Sequence, residues 1–175
     1  MHMETVFYSG IGQDSHRFLA PSVKGNLKAD WHAKVLVLGG VVFEGETPLD
    51  ANSDGDVVLH ALTNAISGVT CKNVLGKRAD ELCRAGNRDS RSYLRLALQD
   101  AAEQNLKVVH ASFSIECMKP KITPNIEKMR ASIGELLNIA PSHVGITATT
   151  GELLSECGRG VGIYVTCVVT MKGEC

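Results

Sequence analysis

The sequence predicts an α+β protein, a mixed β-sheet covered on one face by about three helices, in a single domain spanning 1–175. Three observations carry this. Val109 to Cys117 and Ile163 to Met171 alternate apolar with more polar residues, the period of a strand with one buried face. Three other stretches, opening near Ser53, Ser90 and Pro124, space their apolar residues as one face of a helix does. Helices of that kind need an apolar surface to cover, and a half-buried sheet supplies one. At 175 residues the chain suits one core.

Taken in order, Glu4 to Tyr8 is short and β-prone, and Val35 to Leu38 with Val41 to Phe43 flank Gly39-Gly40, a dipeptide suited to a tight hairpin. Ser53-Asp54-Gly55-Asp56 offers oxygens for a helix N-terminus, and Val58, Ala61, Leu62, Ala65 and Ile66 continue the helix to about Gly68. Lys72 to Arg88 is polar and aperiodic, which predicts a mobile loop. Ser90 is placed to cap a second helix with Leu94, Ala97, Leu98 and Ala101 as its apolar stripe and Asn105 near its end. Strand Val109 to Cys117 follows. After Pro124 a third helix carries Ile126, Met129, Ile133, Leu136 and Leu137 and is expected to stop at Pro141. Val144, Ile146 and Ala148 begin the last pair of strands.

The 44% hydrophobic and 21% charged content is that of a packed globular protein. A formal net charge of -1 without a Lys/Arg block argues against nucleic acid as partner. The longest apolar stretch, Val35 to Phe43, is half of the roughly 20 residues that a membrane helix needs. Met1 to Gly10 has no charged segment followed by an apolar run, so the expected location is the cytoplasm, with Met1-His2 open to being a cloning remnant. Cys71, Cys83, Cys117, Cys157, Cys167 and Cys175 lack zinc-knuckle or redox spacing and are expected as thiols.

Asp14-Ser15-His16 sits near Gly10 and Gly12, and in extended chain residues two apart point the same way. An Asp oxygen and a His nitrogen can then converge on one cation, and His60, early in the first helix, can join them. One Asp and two His suit zinc with a fourth position open. A hydrogen-bonded turn and a packed helix histidine fit the same residues, and the pattern alone leaves both open. Asp54 and Asp56 read as helix caps or as partners orienting the histidines.

Thr149-Thr150-Gly151-Glu152 follows a strand, offering hydroxyls and amides to phosphate oxygens and, at Glu152, a carboxylate to a hard divalent cation; a capped turn fits it too. Arg159 between Gly158 and Gly160 suits bidentate phosphate binding or a surface turn. Pro120-Lys121-Ile122-Thr123-Pro124 is a stiff loop able to wall a pocket or merely to connect.

Together, G-I-G-Q-D-S-H (Gly10 to His16), S-D-G-D-V-V-L-H-A-L (Ser53 to Leu62), P-K-I-T-P (Pro120 to Pro124), A-T-T-G-E (Ala148 to Glu152) and G-R-G (Gly158 to Gly160) resemble the 2-C-methyl-D-erythritol 2,4-cyclodiphosphate synthases, as a divergent bacterial branch. The resemblance implies a homotrimer with active sites at subunit boundaries and one zinc per subunit on Asp14, His16 and His60. It also implies magnesium or manganese on Glu152 and the substrate diphosphate. Cys117, Pro120, Lys121, Ile122 and Thr123 with Thr149, Thr150 and Gly151 resemble the cytidine pocket, and Gly76 matches the ribose contact. Thr150 matches a residue assigned to transition-state stabilisation. Asp14, Ser15, His16, Asn52, Ser53, Glu152 and Arg159 complete the implied substrate contacts.

Four positions depart from the family pattern. Asn52 replaces the usual transition-state His and donates only a neutral hydrogen bond. Val74 replaces an acidic ribose contact, Arg78 to Leu82 replaces a flexible loop with Asp80 as the nearest acidic substitute, and Ile11 replaces an axial His. The implied reaction is attack of the substrate's 2-phosphate on its β-phosphorus with cytidine monophosphate leaving. The nucleophile is already an anion, which explains the lack of a Ser or Cys triad. Two other functions fit: a metal-dependent phosphohydrolase, recognised by linear products, and a non-catalytic cytidine-nucleotide-binding trimer, recognised by binding without turnover.

Overall fold

The computed structural model describes residues 4–19 and 35–174, which form six strands and four α-helices. Met1-His2 and Cys175 lie outside this range. The main sheet contains β1 (Thr5–Arg17), β4 (Lys107–Glu116), β5 (Val144–Thr149) and β6 (Gly162–Glu174) in the order β1-β6-β4-β5. β6 runs antiparallel to both neighbours, whereas β4 and β5 are parallel, so the sheet is mixed as expected. β2 (Leu36–Leu38) and β3 (Val41–Phe43) form the separate hairpin around Gly39 and Gly40, both at positive φ.

β1 runs well past Tyr8, through the whole D-S-H motif. Its even-numbered positions face inward, but Gly10 and Gly12 occupy two of them, so apolar alternation is lost where the strand continues. β6 buries Ile163, Val165, Cys167, Val169 and Met171 as the alternation predicts. In β4, Val108 pairs with Met171 and His110 with Thr170, which leaves Val109 as an extra residue. This bulge buries Val108 in place of the expected Val109, and the phase recovers at Ala111.

Helix α1 (Val57–Thr70) lies on β1 and β6, α3 (Ser90–Glu103) packs against α1, and α4 (Ile126–Leu137) covers β5. The segment expected as a mobile loop contains a fourth helix, α2 (Lys77–Arg84), whose only buried residue is Ala79. Ala79, Leu82 and Cys83 form a short apolar stripe against the core, and Arg78 adds a tether to the buried Asp100 of α3 at 2.5 and 3.4 Å. Two terminal signals also differ. Asp89 caps α3 by accepting from the Arg91 amide, leaving Ser90 inside the helix. α4 ends at Leu137 because Asn138 turns left-handed at φ 54, three residues before Pro141. Cys71, Cys83, Cys117, Cys157 and Cys167 are free thiols.

The sheet face away from the helices is uncovered. Phe7, Ile11 and Val168 stand 63, 70 and 42% exposed there, with Ile11 directly across from Val168.

Candidate functional site

The site begins with the two glycines of β1. A Cβ on Gly10 would stand 2.2 Å from the Ala65 carbonyl oxygen, and one on Gly12 would stand 2.2 Å from the Ala65 nitrogen. With no side chains in the way, α1 lies against the strand backbone. That contact sets His60 beside the next two inward positions, Asp14 and His16. Asp14 Oδ2 is 2.9 Å from His60 Nδ1 and 3.1 Å from His16 Nε2, and the ligating atoms of all three residues lie within 4.8 Å of one another.

Asp56 fixes the helix that carries His60. It accepts from the Val58 and Leu59 amides as the cap of α1 and from Gly39 and Gly40 in the hairpin at 2.8 and 2.6 Å. Burial pushes its carboxyl up to about 6 against the pull of those amide donors.

Burial also works to raise Asp14, but the two histidines outweigh it and hold the carboxyl well below the usual range. For His16 burial opposes the charged form, while the Asp14 carboxylate and the Asp50 backbone outweigh burial and raise the imidazole above its ordinary value of 6.5. Both shifts have one cause, a carboxylate held against two imidazoles. His16 Nε2 is buried and its alignment leaves it without a hydrogen bond. An orphaned imidazole nitrogen converging with a second imidazole and a carboxylate matches a zinc donor set with a free position.

A second set of groups surrounds the ends of β4 and β5. Cys117 donates its amide to the Thr149 carbonyl at 3.1 Å, Met118 donates to Cys157 at 3.2 Å, and the Lys119-Pro120 bond is cis. Burial pushes the Cys117 thiol up to about 11, so it is a packed thiol. Thr150 Oγ1 donates to Glu152 Oε1 at 3.0 Å, and Glu152 and Leu153 take positive φ of 47 and 64°. Gly151 lies against Glu116, which also accepts from the Ser155 hydroxyl. Arg159 is held by Glu156 at 2.8 Å and the Leu153 carbonyl at 3.0 Å.

A sequence profile, the YgbB family, matches residues 7–172. The chain belongs to that family. Within the YgbB family it is 44% identical over 171 residues to a protein of Chlamydia abortus named 2-C-methyl-D-erythritol 2,4-cyclodiphosphate synthase, covering 97% of this chain and 92% of that one. A Chlamydia muridarum protein of the same name is 43% identical, covering 98% and 92%. Among solved structures the chain is similar to the bifunctional IspDF of Campylobacter jejuni, with a TM-score of 0.82 at 26% identity, 97% of this chain and 43% of that chain. A cyclodiphosphate synthase solved in a CDP-bound form matches with a TM-score of 0.75 at 25% identity over 93% and 98%.

The other positions read from the sequence fall as follows in this YgbB family chain. Ser15 points to the opposite sheet face from Asp14 and His16 and is exposed. Asn52 is exposed, while its neighbour Ser53 is buried with Oγ 3.4 Å from His60 Nε2. Gly76 is exposed at the head of α2 with φ 117°, Asp80 is exposed in the first turn, and Val74 is fully buried, so its lost carboxylate would have sat in the core. Pro120 and Ile122 are buried, and Lys121, Thr123, Thr149 and Thr150 are exposed.

Asp14, His16 and His60 thus gather at the β1 edge, and Thr149 to Glu152 at the β5 edge. The β1-β6-β4-β5 order puts three strand spacings, roughly 14 Å, between those edges. Sequence reading missed Ser90, read as a cap, whose Oγ lies 2.8 Å from His60 Nε2. It also missed Asp50 behind His16. A 30-residue separation hides the first, and a backbone role leaves no side-chain signal for the second.

Proposed function

We propose that this chain converts 4-diphosphocytidyl-2-C-methyl-D-erythritol 2-phosphate to 2-C-methyl-D-erythritol 2,4-cyclodiphosphate with release of CMP. The observation that carries this is the Asp14-His16-His60 cluster, with its orphaned imidazole nitrogen, in a chain 44% identical to a protein so named. Asp14, His16 and His60 would hold one zinc per subunit, and Glu152 would hold magnesium or manganese together with the substrate diphosphate. Such ions, when bound, neutralise phosphate charge and orient the reacting groups.

An oxygen of the 2-phosphate attacks the β-phosphorus, and the bond from that phosphorus to CMP breaks. The residues of this chain position the groups. Asn52 and Thr150 offer neutral donors to charge developing on the phosphates. The Cys117 to Thr123 segment and Thr149 to Gly151 receive cytidine through backbone groups, Gly76 leaves room for the ribose, and Ser53 and Arg159 stand as further contacts, whereas the Ser15 side chain, on the opposite sheet face, does not reach this site.

The two edges are too far apart for an ion at each to hold one diphosphate within one subunit, which supports a homotrimer whose neighbouring sheets bring the β1 edge of one copy to the β5 edge of the next. The uncovered face with Phe7, Ile11 and Val168 is an apolar surface suited to that packing. Among the described residues no helix is long and apolar enough to cross a membrane. The proposed setting is the cytoplasm.

Incubation with the substrate, followed by 31P NMR with and without added divalent ions, tests the proposal. Ion-dependent appearance of the cyclic diphosphate and CMP is expected. Linear phosphate products would favour hydrolysis, and nucleotide binding with no product would favour a binding protein.

A further inference from the structure

On the side of His60 away from Asp14, ring nitrogen Nε2 stands 2.8 Å from Ser90 Oγ, and that oxygen hydrogen-bonds Asp54 Oδ1. Ser90 is 0% and His60 7% exposed, so water does not substitute for these contacts. Capping cannot explain the Ser90 hydroxyl, because Asp89 caps α3. Asp54 is itself fixed: its Oδ2 accepts from the Ser90 amide at 3.1 Å, and its amide donates to the Arg88 carbonyl at 2.9 Å.

Proton counting gives this chain a direction. A carboxylate has no proton to give, so the single Ser90 proton goes to Asp54, and Ser90 Oγ accepts from Nε2–H of His60. With Nε2 committed as donor to Ser90, Nδ1 is the nitrogen left for the metal side: it faces Asp14 at 2.9 Å, donating to that carboxylate here, and a bound cation would take the place of its proton. Ser53 Oγ, at 3.4 Å from the same Nε2 and already accepting from Gly55, is a weaker second contact.

We propose that Ser90 and Asp54 are positioning residues, a hydrogen-bonded chain that holds the His60 ring with Nδ1 presented to the metal centre. The inference rests on the metal reading of Asp14, His16 and His60. It also makes α3, which contributes no ligand, part of the site: its first turn holds the back of a ligand borne by α1. Carboxylate or hydroxyl support of this kind sets both the orientation and the basicity of a ligand histidine.

Zinc titration of the wild type, Ser90→Ala and Asp54→Asn against a chromophoric chelator tests this. Ser90→Ala is expected to weaken zinc binding about 10- to 100-fold and Asp54→Asn by less, since an amide oxygen still accepts from Ser90. Turnover at saturating zinc should recover most of its wild-type value, and the melting temperature of the metal-free protein separates a folding defect from a lost ligand orientation. As a check independent of any variant, imidazole 15N spectra of zinc-loaded wild type should show the His60 proton on Nε2. Zinc affinity in Ser90→Ala within twofold of the wild type, or a His60 proton on Nδ1, overturns the proposal. A wild type that binds no zinc would sink the metal reading and this inference with it, whereas tight wild-type binding with an unaffected Ser90→Ala sinks the inference alone.

Discussion

Gly12 of β1 and Ala65 of α1 touch backbone to backbone, so that a Cβ on Gly12 would stand 2.2 Å from the Ala65 nitrogen and 2.3 Å from the Ala61 carbonyl oxygen. Neither atom belongs to a flexible side chain that can move aside. The contact sets the distance between the strand carrying Asp14 and His16 and the helix carrying His60.

Gly12→Ala is therefore expected to push α1 off β1 and to cost about 3 kcal/mol, the upper part of the range for overpacking. Zinc affinity should fall with it. Gly145→Ala, whose Cβ would meet nothing closer than Ser112 Oγ at 3.4 Å, serves as the control and should cost under about 1 kcal/mol. Denaturant unfolding of both variants checks the pair.

Asp56→Ala removes the cap of α1 and leaves the buried Gly39 amide without its acceptor. The loss should be roughly 2–4 kcal/mol, a cap of about 1 plus an unsatisfied buried donor. The same residue predicts a pH effect. Its carboxyl is raised from 3.8 to about 6 in the folded protein, so between those values the folded state holds a proton that the unfolded chain has released. Its contribution to stability is present in full below about 4 and is lost as pH rises through about 6, an effect on the order of 3 kcal/mol. The difference between wild type and Asp56→Asn, measured by urea unfolding across that window, should show this slope; a flat difference would contradict it.

Zinc must displace any proton from His16, whose pKa is raised above 6.5. Affinity should weaken as pH falls below His16's own pKa, by a share that approaches tenfold per pH unit for His16 and adds to that of any other ligand proton displaced. Asp14, held ionised throughout, adds nothing to the slope. Chelator competition at several pH values between 5.5 and 8, roughly a unit either side of the ordinary imidazole value, reads this directly.

The separation of the β1 and β5 edges predicts that Asp14→Asn and Glu152→Gln are each inactive alone and recover part of the activity when their subunits are mixed. A mixed trimer can assemble one site from two intact edges. Absence of any recovery after subunit exchange, shown by mass analysis to have occurred, would argue for a site within one subunit.

The strands β4 and β6 were legible because a single buried face imposes alternation, and the Gly39-Gly40 hairpin because its turn needs positive φ. The length of β1 was not, since close approach to α1 put glycine where an apolar residue would have marked the face. α2 was invisible for a different reason: its stripe is only Ala79, Leu82 and Cys83 in eight residues, and the Arg78–Asp100 ion pair that helps hold it spans 22 positions. The convergence of Asp14 with His16 could be read from strand geometry, and that of His60 from its place after the S-D-G-D cap. Ser90 could not, because its bond to His60 exists only once α3 has packed on α1.

His60→Gln tests the central claim, a metal centre on which turnover depends, most directly. Zinc content by elemental analysis and turnover of the substrate would be measured on the same folded preparation. If His60 is a ligand, Asp14 and His16 remain as too few donors for a firm tetrahedral site, so zinc content should drop and activity should fall by orders of magnitude while the fold persists. A His60→Gln protein with full zinc occupancy and normal turnover, differing only by roughly 1 kcal/mol in stability, would contradict it.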